Sequence, residues 1–345
     1  MIAVAGAVAQ KAGRGGHTWV FLQYLLGFRR LGYDVLFVDR ERNAYVDRVM
    51  RDFGIPYAVG DEAIEPVRRS RLLLNVMGFA DAAVLDGAPF SAYLDIDPGF
   101  PQMWRALGLA DPFEEHDAFV TIGGRIGEHD CSVPTCGLSW ITTDQPVVLQ
   151  AWPALRPNGL TFTTVAAWRG AYGPVEYRGR TYGLRVHEFR KFVELPARAD
   201  ADFRLALDID PAETMDLELL RRHGWTLLDP RDEARDPLTY RSFIQRSGAE
   251  FMVAKSMYVE SRSGWLSDRS ICYLASGRPV LAQDTGFAHD GDGLVRFSTL
   301  EEAVEGAEAI VADYARHARA ARALAEERFD SDRVLTRLLR ELDVD

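Results

Sequence analysis

Cysteine and long apolar runs are both scarce in this sequence. Its 345 residues include three cysteines, Cys131, Cys136 and Cys272, without CxxC spacing, which excludes a disulfide scaffold and argues against a cysteine zinc site. No apolar stretch approaches the roughly 20 residues that span a bilayer. The first residues also lack the basic start and cleavage site of a signal peptide. We therefore expect a cytoplasmic protein with reduced thiols and no transmembrane segment.

A surplus of positive charge is absent too. The formal net charge is −11, which argues against nucleic acid as the main partner, because a phosphate backbone would be repelled. A GxxxxGK phosphate loop is missing, and Thr18 occupies the third glycine position of a GxGxxG pattern that starts at Gly13. Oligomeric state is not indicated by any feature of the sequence.

What the sequence does contain is an alternation of strand-like and helix-like segments. After the apolar start "MIAVAGAVA" come a glycine-rich turn, an apolar helical stretch that ends at Gly32, and a second strand. This order is the opening of a doubly wound parallel sheet. In this half we expect strands at 2–7, 34–38, 72–77, 92–95 and 118–122.

A second alternating series follows the proline-rich stretch "TTDQPVVLQAWPALRPNG", which we interpret as a linker. Its strand-like segments are "LTFTTVAAW", "FRLALDID", "WTLLDP", "EFMVAKS", "RPVLAQD" and "LVRFS". We therefore expect an α/β protein with Rossmann-like domains at 1–150 and 151–328 that face a central cleft, where ligands usually bind.

The segment "SRSGWLSDRSICYLASGRPVLAQDTGF", from Ser261 to Phe287, predicts a loop, a helix that starts near Ser267 or Asp268 and ends at Gly277, and a strand. Helix N-termini bind anions. A cation in the first turn, here Arg269, opposes the helix dipole at a cost of up to about 1 kcal/mol. Either Asp268 offsets this cost, or a bound diphosphate does. The predicted diphosphate contacts are Ser261, Arg262, Ser263, Ser267, Asp268 and Arg269.

The pattern "A-S-G-R-P-V", strand, "D-T-G-F" resembles the nucleotide-sugar half of glycosyltransferases with two Rossmann-like domains, the GT-B architecture. The opening "GRGGHTWVFLQYLLGFRRLGYDVLFVD" is similar to the acceptor half of that superfamily, including the "GGH" loop of the peptidoglycan N-acetylglucosaminyltransferase. The whole chain also resembles bacterial family 1-type glycosyltransferases, through "TTVAAW", "AK…Y" and "SRSGWLSDRS".

The resemblance implies transfer of a sugar from a nucleoside-diphosphate sugar to a hydroxyl or amine of a small-molecule or glycan acceptor. The segment "LDIDP" occurs twice and contains the Asp-x-Asp spacing of a metal-binding pair in other sugar-transfer folds, but no metal and no further cofactor are expected. The resemblance also implies that a final helix within 329–345 packs toward the first domain. In the resembling families the loop after the penultimate strand contacts the donor. The predicted sugar or nucleotide contacts are Trp265, Gln283, Asp284, Thr285 and Gly286.

One departure from the family pattern concerns the donor ribose. Many retaining members place a glutamate where Cys272 stands here, and Asp268, about one turn earlier, is the candidate substitute. The sequence therefore leaves inversion or retention at the anomeric carbon open.

His17 is the candidate catalytic residue in the first half. Resemblance to inverting members implies a base that takes a proton from the acceptor hydroxyl, and a neutral imidazole suits that task. The alternative is a histidine that caps the helix or only contacts substrate. Backbone freedom for the acceptor-side loop comes from Gly13, Gly15 and Gly16.

Three other functions compete with sugar transfer. A nucleotide-sugar epimerase or a non-catalytic binding protein would share the architecture. An NAD(P)-dependent oxidoreductase would bind its cofactor at Gly13–Gly16 and use Asp39 for the ribose. The arginine- and alanine-rich composition is compatible with natural-product biosynthesis.

Overall fold

The protein, described by a computed structural model over residues 1–344, divides into two compact units. Unit 1 comprises Met1–Val148 together with the chain from Arg328 onward, and unit 2 comprises Leu149–Glu327. Each unit is built on its own parallel sheet.

The sheet of unit 1 has seven strands in the order β3-β2-β1-β4-β5-β6-β7. Its strands are β1 (Ile2–Ala5), β2 (Val35–Asp39), β3 (Tyr57–Val59), β4 (Leu72–Val76), β5 (Ser91–Asp95), β6 (Ala118–Thr121) and β7 (Trp140–Thr142). Every neighbouring pair is parallel. Nearly continuous apolar segments such as "VLFVD" and "LLLNV" suit this arrangement, because both faces of a parallel sheet are covered. The five predicted strands of this half are confirmed.

Helices connect these strands. They are α1 (Gly15–Arg30), α2 (Ala44–Phe53), α3 (Ile64–Arg68), α4 (Ala82–Asp86) and α5 (Phe100–Ala106). The chain runs from β1 outward to β3 and then returns to place β4 on the other side of β1. Such a reversal is the point at which open α/β sheets bind ligands. In unit 1 it lies at the carboxyl ends of β1 and β4.

The sheet of unit 2 has six parallel strands in the order β12-β11-β8-β13-β14-β15, and a separate hairpin pairs β9 with β10. The strands are β8 (Thr161–Ala167), β9 (Val175–Tyr177), β10 (Arg180–Tyr182), β11 (Asp202–Asp208), β12 (Thr226–Leu228), β13 (Ala249–Met252), β14 (Val280–Gln283) and β15 (Leu294–Phe297). All six predicted strand segments are confirmed. The order reverses at the carboxyl ends of β8 and β13, which therefore form the second ligand-binding position.

The helices of unit 2 are α6 (Arg185–Phe189), α7 (Leu195–Arg198), α8 (Thr214–Arg222), α9 (Pro230–Glu233), α10 (Pro237–Arg246), α11 (Ser256–Ser261), α12 (Asp268–Ala275), α13 (Leu300–Ala312) and α14 (Tyr314–Leu324). An aromatic core supports the central strands: Phe251 of β13 stacks on Phe297 of β15 with ring centroids 5.3 Å apart. None of the helices within residues 1–344 is both long and apolar enough to cross a membrane.

The last helix, α15 (Ser331–Glu341), belongs to unit 1 and packs on α1. The guanidinium of Arg30 binds both carboxylate oxygens of Asp332, at 2.9 and 2.7 Å. Gly27 allows the close approach, because a Cβ there would lie 2.4 Å from Cδ1 of Leu335. The return of this helix to the first unit is the arrangement that the family resemblance implies.

Candidate functional site

Two loops meet at the strand reversal of unit 2. Gly170 follows β8 and has a positive φ of 101°, and a Cβ at this position would lie 3.5 Å from Cε of Lys255, which follows β13. The loop after β8 therefore runs directly against the lysine side chain. Proximity of this kind cannot be read from the sequence, since 85 positions separate the two residues.

Lys255 is a buried cation at this reversal. The residue is only 9% exposed. Its ammonium nitrogen is 5.5 Å from the ring centroid of Tyr172 and 5.2 Å from that of Tyr258. Aromatic faces stabilise a cation held away from water. The chain has three lysines among its 40 basic residues, and one of them stands at this position.

Helix α12 begins where the sequence predicts. Ser267 is its N-cap and accepts a hydrogen bond from the backbone N–H of Arg269 at 3.3 Å. The helix ends at Ala275, and Gly277 follows with a φ of 68°, the left-handed conformation that favours glycine. The first turn thus carries Asp268 and Arg269 beside backbone N–H groups.

Arg269, a predicted diphosphate contact, has a partner within the protein that the sequence did not indicate. Its guanidinium forms a buried ion pair with Glu250 of β13 and donates to the carbonyl oxygen of Val165 at 2.9 Å. Burial lowers the pKa of Arg269, but the neighbouring groups, with Glu250 foremost and Tyr240 and Asp268 adding to it, raise the pKa above its ordinary value, so the arginine remains charged. Burial raises the pKa of Glu250, and the guanidinium opposes that rise. The sequence left open whether Asp268 or a bound diphosphate offsets the cost of a cation in the first turn. In the structure Glu250 is a further group that offsets this cost.

The loop between α11 and α12 is fastened to the loop after β14. The N–H of Gly264 donates to the carbonyl of Thr285 at 2.8 Å, and Oγ1 of Thr285 donates to the carbonyl of Trp265 at 2.5 Å. The hydroxyls of Ser261 and Ser263 are buried and have no hydrogen-bond partner among residues 1–344. The structure therefore brings together the two predicted donor segments, 261–269 and 284–286.

Other predicted donor contacts are engaged by the protein itself. Trp265 is 6% exposed and stacks on Tyr258 with ring centroids 4.2 Å apart. Oε1 of Gln283 accepts from the N–H of Ala254 at 3.1 Å, and its Nε2 donates to Glu188 at 2.7 Å. In the loop after β14, the carboxylate of Asp284 accepts a hydrogen bond from the N–H of Gly286 at 2.8 Å. The side chain of Arg262 is exposed and its backbone has a φ of 51°.

His17 lies at the strand reversal of unit 1. Its Nε2 is 3.1 Å from the carbonyl oxygen of Ala7, just after β1, and its ring centroid is 6.5 Å from that of Phe79, just after β4. The ring also meets Phe21 edge-on at 5.0 Å. The histidine thus lies between the two loops that follow β1 and β4. Among the predicted glycines, Gly13 has a φ of 82°, while Gly15 and Gly16 begin α1.

The environment of His17 keeps its imidazole neutral. Burial, followed by the charge of Lys11, lowers its pKa from 6.5 to about 3. Because a carbonyl only accepts hydrogen bonds, the bond to Ala7 assigns the proton to Nε2 and the lone pair to Nδ1. A group with so low a pKa is a weak proton acceptor near neutral pH.

Asp39, the residue that a dinucleotide enzyme would use for ribose, is occupied by the protein. It is 2% exposed, and its carboxylate accepts from the backbone N–H groups of Ala9 and Arg40, both at 2.8 Å. Thr18 is buried and bonds to the hydroxyl of Tyr45 at 3.0 Å. Neither position has the geometry that a dinucleotide fingerprint requires.

Sequence reasoning missed several residues that shape these positions. Glu250 and Tyr172 carry no local motif, and their partners lie 19 or more positions away. Gly6 lies below the ring of Phe21, where a Cβ would approach a ring carbon to 2.3 Å. The signal available for it was a glycine directly after the first strand.

Comparison with known proteins finds likeness in structure only. No protein-family model matches the chain, and no curated protein matches it in sequence. A solved structure of an alpha-glucosyltransferase in complex with UDP has a TM-score of 0.66 at 12% identity, and the match covers 99% of both chains.

Two further structures are similar over nearly their whole length. HepE of Anabaena in complex with UDP-glucose has a TM-score of 0.64 at 12% identity, with 99% of both chains covered. Sucrose-phosphate synthase from Thermosynechococcus elongatus has a TM-score of 0.57 at 12% identity, with 99% of this chain and 98% of that chain covered. The chain therefore has, over nearly its whole length, the GT-B fold of these glycosyltransferases.

Proposed function

We propose that the protein is a glycosyltransferase that takes a sugar from a nucleoside-diphosphate sugar. The observation that carries the proposal is that structures similar over 99% of both chains hold UDP or UDP-glucose. Fold alone does not fix chemistry, so the proposal also depends on the residues at the two strand reversals.

The donor would bind in unit 2, with its diphosphate between Lys255 and the first turn of α12. A buried ammonium and helix N–H groups are both suited to a diphosphate. Ser261, Ser263 and the loop 284–286 would complete the donor site, as the sequence predicts. Arg269, held by Glu250, would fix the position of the helix. Lys255 would make the direct contact with the diphosphate.

Departure of the nucleoside diphosphate requires positive charge near its phosphates. Lys255 supplies a fixed charge in a buried setting, where electrostatic stabilisation of a leaving group is strong. We propose that this charge and the N-terminus of α12 serve the leaving group without a metal. Within residues 1–344 no three His, Cys, Asp or Glu side chains lie together as a metal-binding group.

The acceptor would bind in unit 1 beside His17. With its proton on Nε2, the ring can accept a hydrogen bond at Nδ1 from an acceptor hydroxyl and so orient it. The low pKa of His17 favours this orienting role over general base catalysis.

The three cysteines are thiols, which agrees with the cytoplasmic location that we propose.

A thermal-shift screen tests the proposal against its competitors. UDP, GDP and TDP are compared with NAD and NADP, each with the wild type and with Lys255→Gln. We expect a nucleoside diphosphate to stabilise the wild type, with a smaller shift in the variant. Stabilisation by NAD or NADP alone would contradict the transferase proposal and support an oxidoreductase.

Transfer itself is read from the products. The preferred sugar nucleotide is incubated with candidate acceptors, and both the released nucleoside diphosphate and the glycosylated product are quantified. Binding without turnover of any donor would favour the non-catalytic binding protein, and conversion of the donor sugar without an acceptor would favour the epimerase.

A further inference from the structure

One arginine of α6 is bonded to both strands of the reversal in unit 2. The ladder between β13 and β8 includes Ala249 and Glu250. Farther along, the side chain of Arg185 joins the two strand ends. Its Nε donates to the carbonyl of Val253, just after β13, at 3.0 Å, and its Nη1 donates to the carbonyl of Ala167, the last residue of β8, at 2.8 Å. Arg185 is only 8% exposed, so these two bonds connect the strand ends inside the protein.

A second residue of α6 acts on the end of β13 through a glutamine. Glu188 is 2% exposed, and its carboxylate accepts from Nε2 of Gln283 at 2.7 Å. Lys191 pairs with the same carboxylate at 2.8 Å, which offsets the cost of burying its charge. Oε1 of Gln283 accepts from the N–H of Ala254 at 3.1 Å. The carbonyl of Val253 and the N–H of Ala254 belong to one peptide unit, so groups held by α6 bond this unit at both its oxygen and its nitrogen.

This peptide unit directly precedes Lys255. Lys255 is also the N-cap of α11, so its backbone lies between the bonded peptide and the start of a helix. The other carbonyl that Arg185 binds, that of Ala167, precedes the loop in which Gly170 and Tyr172 lie beside the lysine side chain. Arg185 therefore fixes both the backbone that carries the ammonium and the loop next to it.

We propose that Arg185 and Glu188 are positioning residues of the donor site, which hold the peptide 253–254 and so place the ammonium of Lys255 for the diphosphate. This inference rests on the proposed function, because it concerns the same donor site. A lysine has a flexible four-carbon stem, and a charge stabilises a leaving group best when its position is fixed before the ligand binds. Both residues act through Lys255 rather than by contact with the ligand.

Calorimetric titration of UDP into Arg185→Met tests the inference, with Arg278→Met as the matched control. Arg278 is 2% exposed and donates to two backbone carbonyls, those of Leu155 and Gln245. It precedes β14, at the edge of the sheet opposite to Lys255. All titrations are made at a temperature at which circular dichroism shows the variants to be folded. We expect UDP to bind about fivefold more weakly to Arg185→Met and with wild-type affinity to Arg278→Met.

A double-mutant cycle shows whether the arginine acts through Lys255. In the Lys255→Gln background, Arg185→Met should change the UDP affinity by less than about twofold, because the charge that it positions is gone. A purely structural role would leave the two effects additive. Full additivity, wild-type affinity in Arg185→Met, or equal losses in Arg185→Met and Arg278→Met would each overturn the proposal.

Glu188 provides the test if Arg185→Met does not fold. Glu188→Gln retains an acceptor for Nε2 of Gln283 and should bind UDP at least about threefold more tightly than Glu188→Leu does. Equal affinities in these two variants would contradict the positioning role. Absence of UDP binding to the wild type would refute the proposed function, and the positioning role with it. Normal binding by the wild type together with any of the contrary results would refute the positioning role alone.

Discussion

The guanidinium of Arg269 is paired with the carboxylate of Glu250 inside unit 2, and it also donates to the carbonyl of Val165. One side chain at the start of α12 is thereby connected to both β8 and β13, the strands that flank the candidate donor position. The pairing satisfies the arginine without a ligand, so we propose that Arg269 influences donor binding through the placement of its helix.

Arg269→Met should destabilise the protein by about 3–5 kcal/mol, because it leaves Glu250 buried without its ion-pair partner. Urea unfolding of the variant measures this loss. The double variant Arg269→Met/Glu250→Leu should recover most of it, since apolar groups of similar volume can replace a buried pair. Lost UDP affinity in Arg269→Met with unchanged stability would show instead that the arginine contacts the donor.

Lys255→Gln should weaken UDP binding about tenfold or more, because a hydrogen bond to a charged group contributes about 1.5–3 kcal/mol. Calorimetric titration of UDP checks this value. Arg231 of the same unit is 87% exposed at its side chain, so Arg231→Gln makes an equal change in charge away from the site and should bind UDP as the wild type does. Equal affinities in both variants would remove Lys255 from the donor site.

His17 should remain neutral from pH 8 down to pH 5. Its folded-state pKa of about 3 lies below the ordinary value of 6.5, so the unfolded chain binds the proton first. The contribution of His17 to stability is therefore complete above pH 6.5 and is lost as the pH falls toward 3, by up to about 1.4 kcal/mol per pH unit.

Histidine proton resonances, assigned by comparison with His17→Gln, report this pKa. The variant should also lose stability less steeply than the wild type below pH 6.5. A titration midpoint for His17 near 6.5 would restore its candidacy as a general base.

Gly6→Ala should destabilise unit 1 by about 1–3 kcal/mol, the usual cost of overpacking. The new methyl group would lie 2.3 Å from a carbon of the Phe21 ring, which is fully buried. Gly87→Ala is the matched control, since its Cβ would meet no atom closer than 3.5 Å. Thermal unfolding of both variants tests the prediction, and equal melting temperatures would contradict it.

The sheets of both units were predictable because their strands are apolar and separated by helical patterns. The hairpin β9–β10 was not, because its strands have three residues each and its turn places Arg178 at a φ of 49°, a conformation that arginine rarely adopts. The short strand β3 was missed for the same reason of length.

The candidate site was predictable in part. The start of α12 follows from Ser267 as a cap, and its end from Gly277. The partner of Arg269 does not, because Glu250 reaches it only through the pairing of strands and helices in the fold. Lys255 belongs to a recognisable strand segment, but its burial against Tyr172 depends on a loop that begins after another strand.

A crystal structure with bound UDP tests the central claim most directly. The account predicts the diphosphate in unit 2, with a phosphate oxygen within about 2.7–3.2 Å of Nζ of Lys255 and facing the first turn of α12. UDP bound at the glycine-rich loop before His17, with Lys255 away from the phosphates, would contradict it.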